Sequence, residues 1–131
     1  MTDKMFGVMK DLKVGKYVLI DDVPCRIVGI ESSAPGKHGA AKMRVTAIGI
    51  FDNQKRTLLK PSDADMEVPV IERKTGQVVS ITGDNVQIMD LDDYSTFEIP
   101  IPAEIKNEMT AGKEVEYMES MGKKLITRVR G

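Results

Sequence analysis

The chain has 131 residues, 41% hydrophobic and 30% charged, with a formal net charge of -1. That is the composition of an ordinary globular protein, sized for one domain or two very small ones. No apolar stretch approaches the ~20 residues of a membrane span, and Met1-Thr2-Asp3-Lys4-Met5-Phe6-Gly7 lacks the apolar core of a secretory signal. Cys25 and His38 are the only cysteine and histidine. An internal disulfide and a four-ligand zinc site are therefore excluded, and a Ser-His-Asp site would have to use a histidine flanked by glycine. A reducing, cytoplasmic location is the expectation. No catalytic constellation stands out, so an enzyme is the weaker class.

Taken in chain order, strand-like runs dominate. Tyr17-Val18-Leu19-Ile20 precedes Asp21-Asp22-Val23-Pro24, which reads as a turn. Cys25 to Ile30 and Met43 to Phe51 are β-branched and partly alternating, as half-buried strands are. Asp52-Asn53 then turns the chain into Lys55 to Leu59. Short strands with frequent turns suggest a small barrel. A boundary is expected at Met66-Glu67-Val68-Pro69-Val70-Ile71, where proline interrupts any central strand and the charge balance changes sign. Up to residue 70 there are eleven Lys/Arg against nine Asp/Glu, and beyond it eight against eleven.

In the second half, Gln77 to Thr82 and Val86 to Asp90 flank a hairpin turn at Gly83-Asp84-Asn85, and Thr96 to Ile99 adds a strand. Pro102 suits the first turn of a helix, with Ile101, Ile105 and Met109 on one side. Val115 to Met118 and Leu125 to Val129 close the chain as a hairpin around Ser120-Met121-Gly122. Three strands, a helix and two strands are the order of an OB-type barrel. The nine methionines are expected to fill gaps in two small cores.

Between two strong strands lies Ser32-Ser33-Ala34-Pro35-Gly36-Lys37-His38-Gly39-Ala40-Ala41, longer than the ~2–5 residues a hairpin loop takes. Its side chains are small except at Lys37 and His38, which Gly36 and Gly39 bracket. The expectation is a projecting loop that presents a long cation to something outside. A P-loop is excluded, because six residues separate Gly29 from Gly36 and His38 follows Lys37. From Ser32 to Lys60 six basic residues (Lys37, Lys42, Arg44, Lys55, Arg56 and Lys60) face Asp52 alone. Such a local excess attracts phosphate, although a merely solvated face gives the same count.

The segment Ser32 to Lys42 closely resembles the hypusine loop of the initiation factor 5A family of archaeal and eukaryotic translation factors. In that family a Gly-Lys-His-Gly core, followed two residues later by Ala-Lys, surrounds a modified lysine; here these are Gly36-Lys37-His38-Gly39 and Ala41-Lys42. The resemblance continues through Ile48-Gly49-Ile50-Phe51, Pro61-Ser62, Met66-Glu67-Val68-Pro69 and Ile71-Glu72-Arg73, and spans the chain. Ala40 stands where many eukaryotic members carry a second histidine, and Pro35 where they commonly have threonine. These differences and the short amino terminus look archaeal.

The resemblance implies an all-β chain: an SH3-like barrel over residues 1–69 bearing the loop 32–41, then an OB-fold barrel with one short helix over 70–131. It implies that deoxyhypusine synthase transfers an aminobutyl group from spermidine to Lys37, with no other cofactor. It further implies a partner ribosome, entered near the exit site, where the loop positions the end of peptidyl-tRNA and promotes peptide-bond formation. Pro35, Gly36, His38 and Gly39 would shape the loop or meet the modifying enzyme. Lys42 and Arg44, with Lys55 and Arg56 as helpers, would contact RNA phosphate. No membrane and no small-molecule substrate are expected, and a monomer is the expected state. Two other classes remain open on the residues alone: a general RNA-binding module using its OB barrel, and a stand-alone enzyme.

Overall fold

The computed structural model describes residues 3–33 and 41–130. The chain divides into two compact units, Met1–Val70 and Ile71–Gly131. Both are all-β apart from short 3-10 turns, as the sequence pattern predicts.

The amino-terminal unit holds β1 (Lys4–Val8), β2 (Tyr17–Ile20), β3 (Val23–Ser33), β4 (Lys42–Gly49), β5 (Lys55–Pro61) and β6 (Asp65–Pro69). β2 to β5 form an antiparallel sheet in sequence order, and β1 pairs with β6. This is the SH3-like half of the fold. Its core gathers Met9, Val18, Ile20, Cys25, Ile27, Met43, Val45, Ala47 and Met66. In β4 alternation is strict: Met43, Val45 and Ala47 are buried, while Lys42 and Arg44 face outward. Asp21 and Asp22 both adopt positive φ (53° and 61°), and Ile20 pairs with Val23. That is a two-residue hairpin turn, so Val23 and Pro24 belong to β3 rather than to the turn expected at 21–24.

The carboxy-terminal unit holds β7 (Glu72–Thr82), β8 (Asn85–Asp90), β9 (Thr96–Pro100), β10 (Glu114–Ser120) and β11 (Lys123–Val129). They make one antiparallel sheet in the order β11-β10-β7-β8-β9, the curled sheet of an OB fold. Val78, Val86, Ile88, Met109, Val115, Tyr117, Ile126 and Val129 are its buried core. A Cβ on Gly76 would lie 2.5 Å from Ile88 Cγ2 and 3.1 Å from the Met89 carbonyl, so only glycine lets β7 approach β8 there.

One sequence expectation changes. The short helix after Pro102 is a 3-10 turn, Ala103–Glu108, with no α-helical turn. Ile101 and Ile105 still pack on the core and Met109 is buried in it, so the apolar spacing is real. Six residues between Pro102 and a buried Met109 are too few to repay α-helix nucleation. At 66–71, where a boundary was expected and proline was read as interrupting any central strand, the units divide after Val70, and the strand there, β6, is not central: its Pro69 pairs with Lys4 at the end of the two-stranded ladder. Proline is tolerated at that position because no central ladder bond is lost. β1 itself carried no alternating pattern, with Met5 and Phe6 both exposed.

Candidate nucleic-acid interface

The site grows from the β3–β4 hairpin. The ladder runs to the pairs Glu31↔Arg44, Ser32↔Met43 and Ser33↔Lys42, where the Ser33 hydroxyl donates to the Lys42 carbonyl at 3.2 Å. On the other side Lys42 pairs with Pro61, and the Ser62 amide donates to the Ala41 carbonyl at 2.7 Å. Both ends of the intervening segment are thus tied to the sheet. The central part of that segment, residues 34–40, contains Pro35, Gly36, Lys37, His38 and Gly39; these five candidates lie outside the described residues.

A β-bulge decides which side chains face out. Ile27 pairs with Ala47 and Gly29 with Thr46, leaving Val28 as the extra residue. Before the bulge odd-numbered residues of β3 point inward, as buried Cys25 and Ile27 show. After it the parity inverts, so Glu31 and Ser33 join Lys42 and Arg44 on the outer face. Glu31, Ser32, Ser33, Lys42, Arg44 and Leu59 line an open concavity of about 340 Å³ at this end of the sheet.

Among the described residues, neither Lys42 nor Arg44 is paired with a carboxylate. Lys55 lies on the same outer face, paired with Ile48, one turn of pleat after another from Arg44. Arg56 does not belong with them. It pairs with buried Ala47, hence on the inner side of β5, and its guanidinium forks onto Asp52, Nη1 to Oδ1 at 3.1 Å and Nη2 to Oδ2 at 2.9 Å. That bidentate bond holds the Asp52 carboxyl down at about 2 and raises Arg56 further. Gly49 makes room for the fork, because a Cβ there would sit 2.1 Å from Asp52 Oδ1. Lys60 is also occupied, donating to the Asp65 carbonyl at 3.0 Å. The local run of cations therefore sorts into outward Lys42, Arg44 and Lys55, and structural Arg56 and Lys60.

Sequence reasoning missed Arg26. It is exposed, between buried Cys25 and Ile27, and pairs with Ile48, so it shares the outer face. The alternation of β3 signalled an outward arginine, but only the register places it in one cross-strand row with Lys55, across Ile48.

The OB unit offers no comparable face. Its aromatic pair is inside: Phe97 and Tyr117 pack with centroids 4.9 Å apart. Tyr117 is 2% exposed, and its hydroxyl donates to Asp90, a carboxylate 3% exposed. Asp90 also accepts from the Asp92 amide at 2.8 Å and the Asp93 amide at 3.1 Å. The Tyr117 hydroxyl and these amides hold its carboxyl below the usual range. Tyr117 is pushed up, first by burial and then by Asp90. No aromatic stacking platform is left on the sheet surface by this pair.

Family models cover both units: residues 8–64 match "Translation initiation factor 5A-like, N-terminal", and residues 70–130 match "Eukaryotic elongation factor 5A hypusine, DNA-binding OB fold". The chain belongs to the translation initiation factor 5A family. Translation initiation factor 5A of Methanothermobacter thermautotrophicus is 51% identical, over 94% of this chain and 95% of the relative. The Pyrococcus horikoshii factor is 49% identical, over 100% of this chain and 98% of that one. The solved structure from Methanococcus jannaschii superposes with a TM-score of 0.93 at 51% identity, covering 99% of this chain and 97% of that chain. A family member from Naegleria fowleri gives 0.78 at 32% identity, covering 99% and 100%. The relatives are named as translation initiation factors, which are not enzymes. Among the described residues no helix is long and apolar enough to cross a membrane.

Proposed function

We propose that this factor binds the ribosome near the exit site and positions the end of peptidyl-tRNA with Lys37, modified to deoxyhypusine or hypusine by a spermidine-derived aminobutyl group. The observation that carries the reading is the anchored hairpin: the described ladder runs to Ser33 and Lys42, and Lys42 and Arg44, beside the segment that bears Lys37, have no carboxylate partner among the described residues. A lysine ammonium is one compact cation on a flexible stem. The aminobutyl transfer makes its nitrogen a secondary amine and adds a second amine further out, so two separated cations can follow an RNA backbone. Lys37 acts by orientation, with no acid–base or covalent step; correct orientation of reactants can supply ~7–11 kcal/mol in favourable cases. Deoxyhypusine synthase is the modifying partner, for which Pro35, Gly36, His38 and Gly39 form the recognition segment. The factor works as a cytoplasmic monomer and needs no other cofactor.

The test is tandem mass spectrometry of the Lys37 peptide from protein purified from its native cell, followed by a peptide-bond assay on stalled ribosomes with Lys37→Arg. The reading expects an aminobutyl addition, with or without one oxygen, and impaired peptide-bond formation on stalled ribosomes for the variant. An unmodified lysine in cells that contain spermidine and deoxyhypusine synthase would sink it.

A further inference from the structure

The β4–β5 ladder ends at the pair Lys42↔Pro61, and proline has no N–H with which to carry it further. The next amide along, that of Ser62, donates to the Ala41 carbonyl at 2.7 Å. The turn that supplies this amide is fastened on its other side. The Lys10 amide donates to the Ser62 carbonyl and the Met9 amide to the Ala64 carbonyl, each at 3.0 Å, and the Ala64 amide donates back to the Pro61 carbonyl at 3.0 Å. Met9 is fully buried in the core of the unit. Lys60 closes the turn, its ammonium donating to the Asp65 carbonyl at 3.0 Å. Ser62 therefore connects Ala41 to a segment rooted in the interior. The two ends of the intervening stretch are held by different means: Ser33 by the ladder and its own hydroxyl, Ala41 by the amide of a turn.

We propose that Ser62 is a positioning residue for Lys37: its main-chain amide fixes the direction of the chain at Ala41, and with it where the modified lysine is presented to the end of peptidyl-tRNA. The inference rests on the ribosome reading above and deepens it, because Ser62 acts through Ala41 and not on RNA. Lys37 lies four positions before Ala41, a span of at most ~14 Å, so a small rotation of the Ala41 peptide is multiplied at the lysine. Orientation is what Lys37 contributes, and a misplacement of ~1 Å can cost about 10²-fold in rate. Attraction of the factor to the ribosome depends on its charges, and the Ser62 amide alters none of them. Loss of this one donor therefore has a distinctive signature. The rate at saturation falls, while the concentration of factor needed for half-saturation stays.

The experiment follows peptide-bond formation on stalled native-cell ribosomes as the concentration of the full chain is raised. Every protein is first modified by deoxyhypusine synthase with spermidine, and mass spectrometry checks that Lys37 carries the aminobutyl group. In the deciding variant the Ser62 amide is replaced by an ester, through the α-hydroxy analogue of serine, which deletes the N–H and keeps the side chain. Its rate at saturation is expected to fall by about tenfold, with the half-saturating concentration within about twofold of the parent's. Two controls are expected to keep the parent rate: Ser62→Ala, which retains the amide, and an ester at Ala64, which loses the bond to the Pro61 carbonyl instead. A Ser62 ester that works at the parent rate overturns the proposal. So does one that unfolds or loses rate and affinity together, or an equal loss in the Ala64 ester, since each marks a general loosening of the fold. Failure of the unaltered, modified chain to promote the reaction removes the ribosome reading instead.

Discussion

In the carboxy-terminal unit, Lys74, Lys106, Lys124, Arg128 and Arg130 each lie within ion-pair distance of a carboxylate, Lys74 between Glu72 at 3.6 Å and Glu119 at 3.0 Å. On the outer face of the amino-terminal sheet, Arg26, Lys42, Arg44 and Lys55 have no such partner among the described residues. Both units are rich in charge, and the difference is one of degree: among the described residues Arg73, Lys113 and Lys123 of the second unit also lack a carboxylate partner, but most of its cations have one, whereas the four on the outer face of the first have none. Exposed pairs contribute only ~0–1 kcal/mol each, so stability does not explain the difference. A surface whose cations are matched locally projects little field, whereas unmatched cations on one face attract an external polyanion. The count of charges misleads; their partners separate scaffold from interface.

That contrast can be broken most severely inside the second unit. Tyr117→Phe removes the hydroxyl donated to buried Asp90, and a hydrogen bond to a charged group contributes roughly 1.5–3 kcal/mol. The expected loss is about 2 kcal/mol, read as faster amide exchange across β7, β8 and β10, with RNA affinity unchanged. Weakened RNA binding in that variant would erase the division of labour. Gly76→Ala presses on Ile88 and on the Met89 carbonyl, and overpacking of this kind costs ~1–3 kcal/mol; a lower urea midpoint for the second unit checks it.

On the first unit the same logic runs in reverse. K42Q/R44Q is expected to leave the unfolding midpoint within about 0.5 kcal/mol of the parent and to reduce the salt slope of RNA binding by about 2. Arg56→Gln, one strand away, is expected to leave that slope untouched. A drop equal to that of K42Q/R44Q would place Arg56 in the interface after all. The fork it makes with Asp52 has a pH signature. The Asp52 carboxyl sits at about 2 when folded and near 3.9 when unfolded, so the contribution is present above pH ~4 and fades as pH falls towards 2. Asp52→Asn should flatten that part of the acid-unfolding profile. The smallest effect belongs to Lys74→Gln, below about 1 kcal/mol in thermal unfolding and nil in RNA affinity.

Strand patterning was legible because period-two alternation survives in the sequence. Met43, Val45 and Ala47 against Lys42, Arg44 and Thr46 reads directly as a face in and a face out. What alternation cannot carry is a change of phase. The bulge at Val28 inverts the parity of β3, and the one at Val79, where Val78 pairs with Ile88 and Ser80 with Gln87, does the same for β7. Register between strands was invisible too, so Arg26 could not be set beside Lys55, nor Arg56 assigned to Asp52. β7 begins five residues before Gln77, because Glu72 to Gly76 look polar and glycine-broken while their ladder partners lie forty residues away on β10. The loop at 32–41 was legible for another reason. Its unusual run of residues identified a family, where hydrophobic pattern had nothing to say.

The tie between Ser33 and Lys42, seconded by Ser62 on Ala41, also bears on how such a protein can change. Ser33, Ala41 and Lys42 are each held to the described frame by hydrogen bonds, so the two ends of the intervening stretch are fixed in place. Lengthening or shortening a closed loop costs only ~0.6 kcal/mol per doubling. By that arithmetic, the length of chain that joins the two anchored ends is a weak constraint on the frame. A cassette of this kind could be transplanted between barrels, or replaced wholesale, without refolding the host.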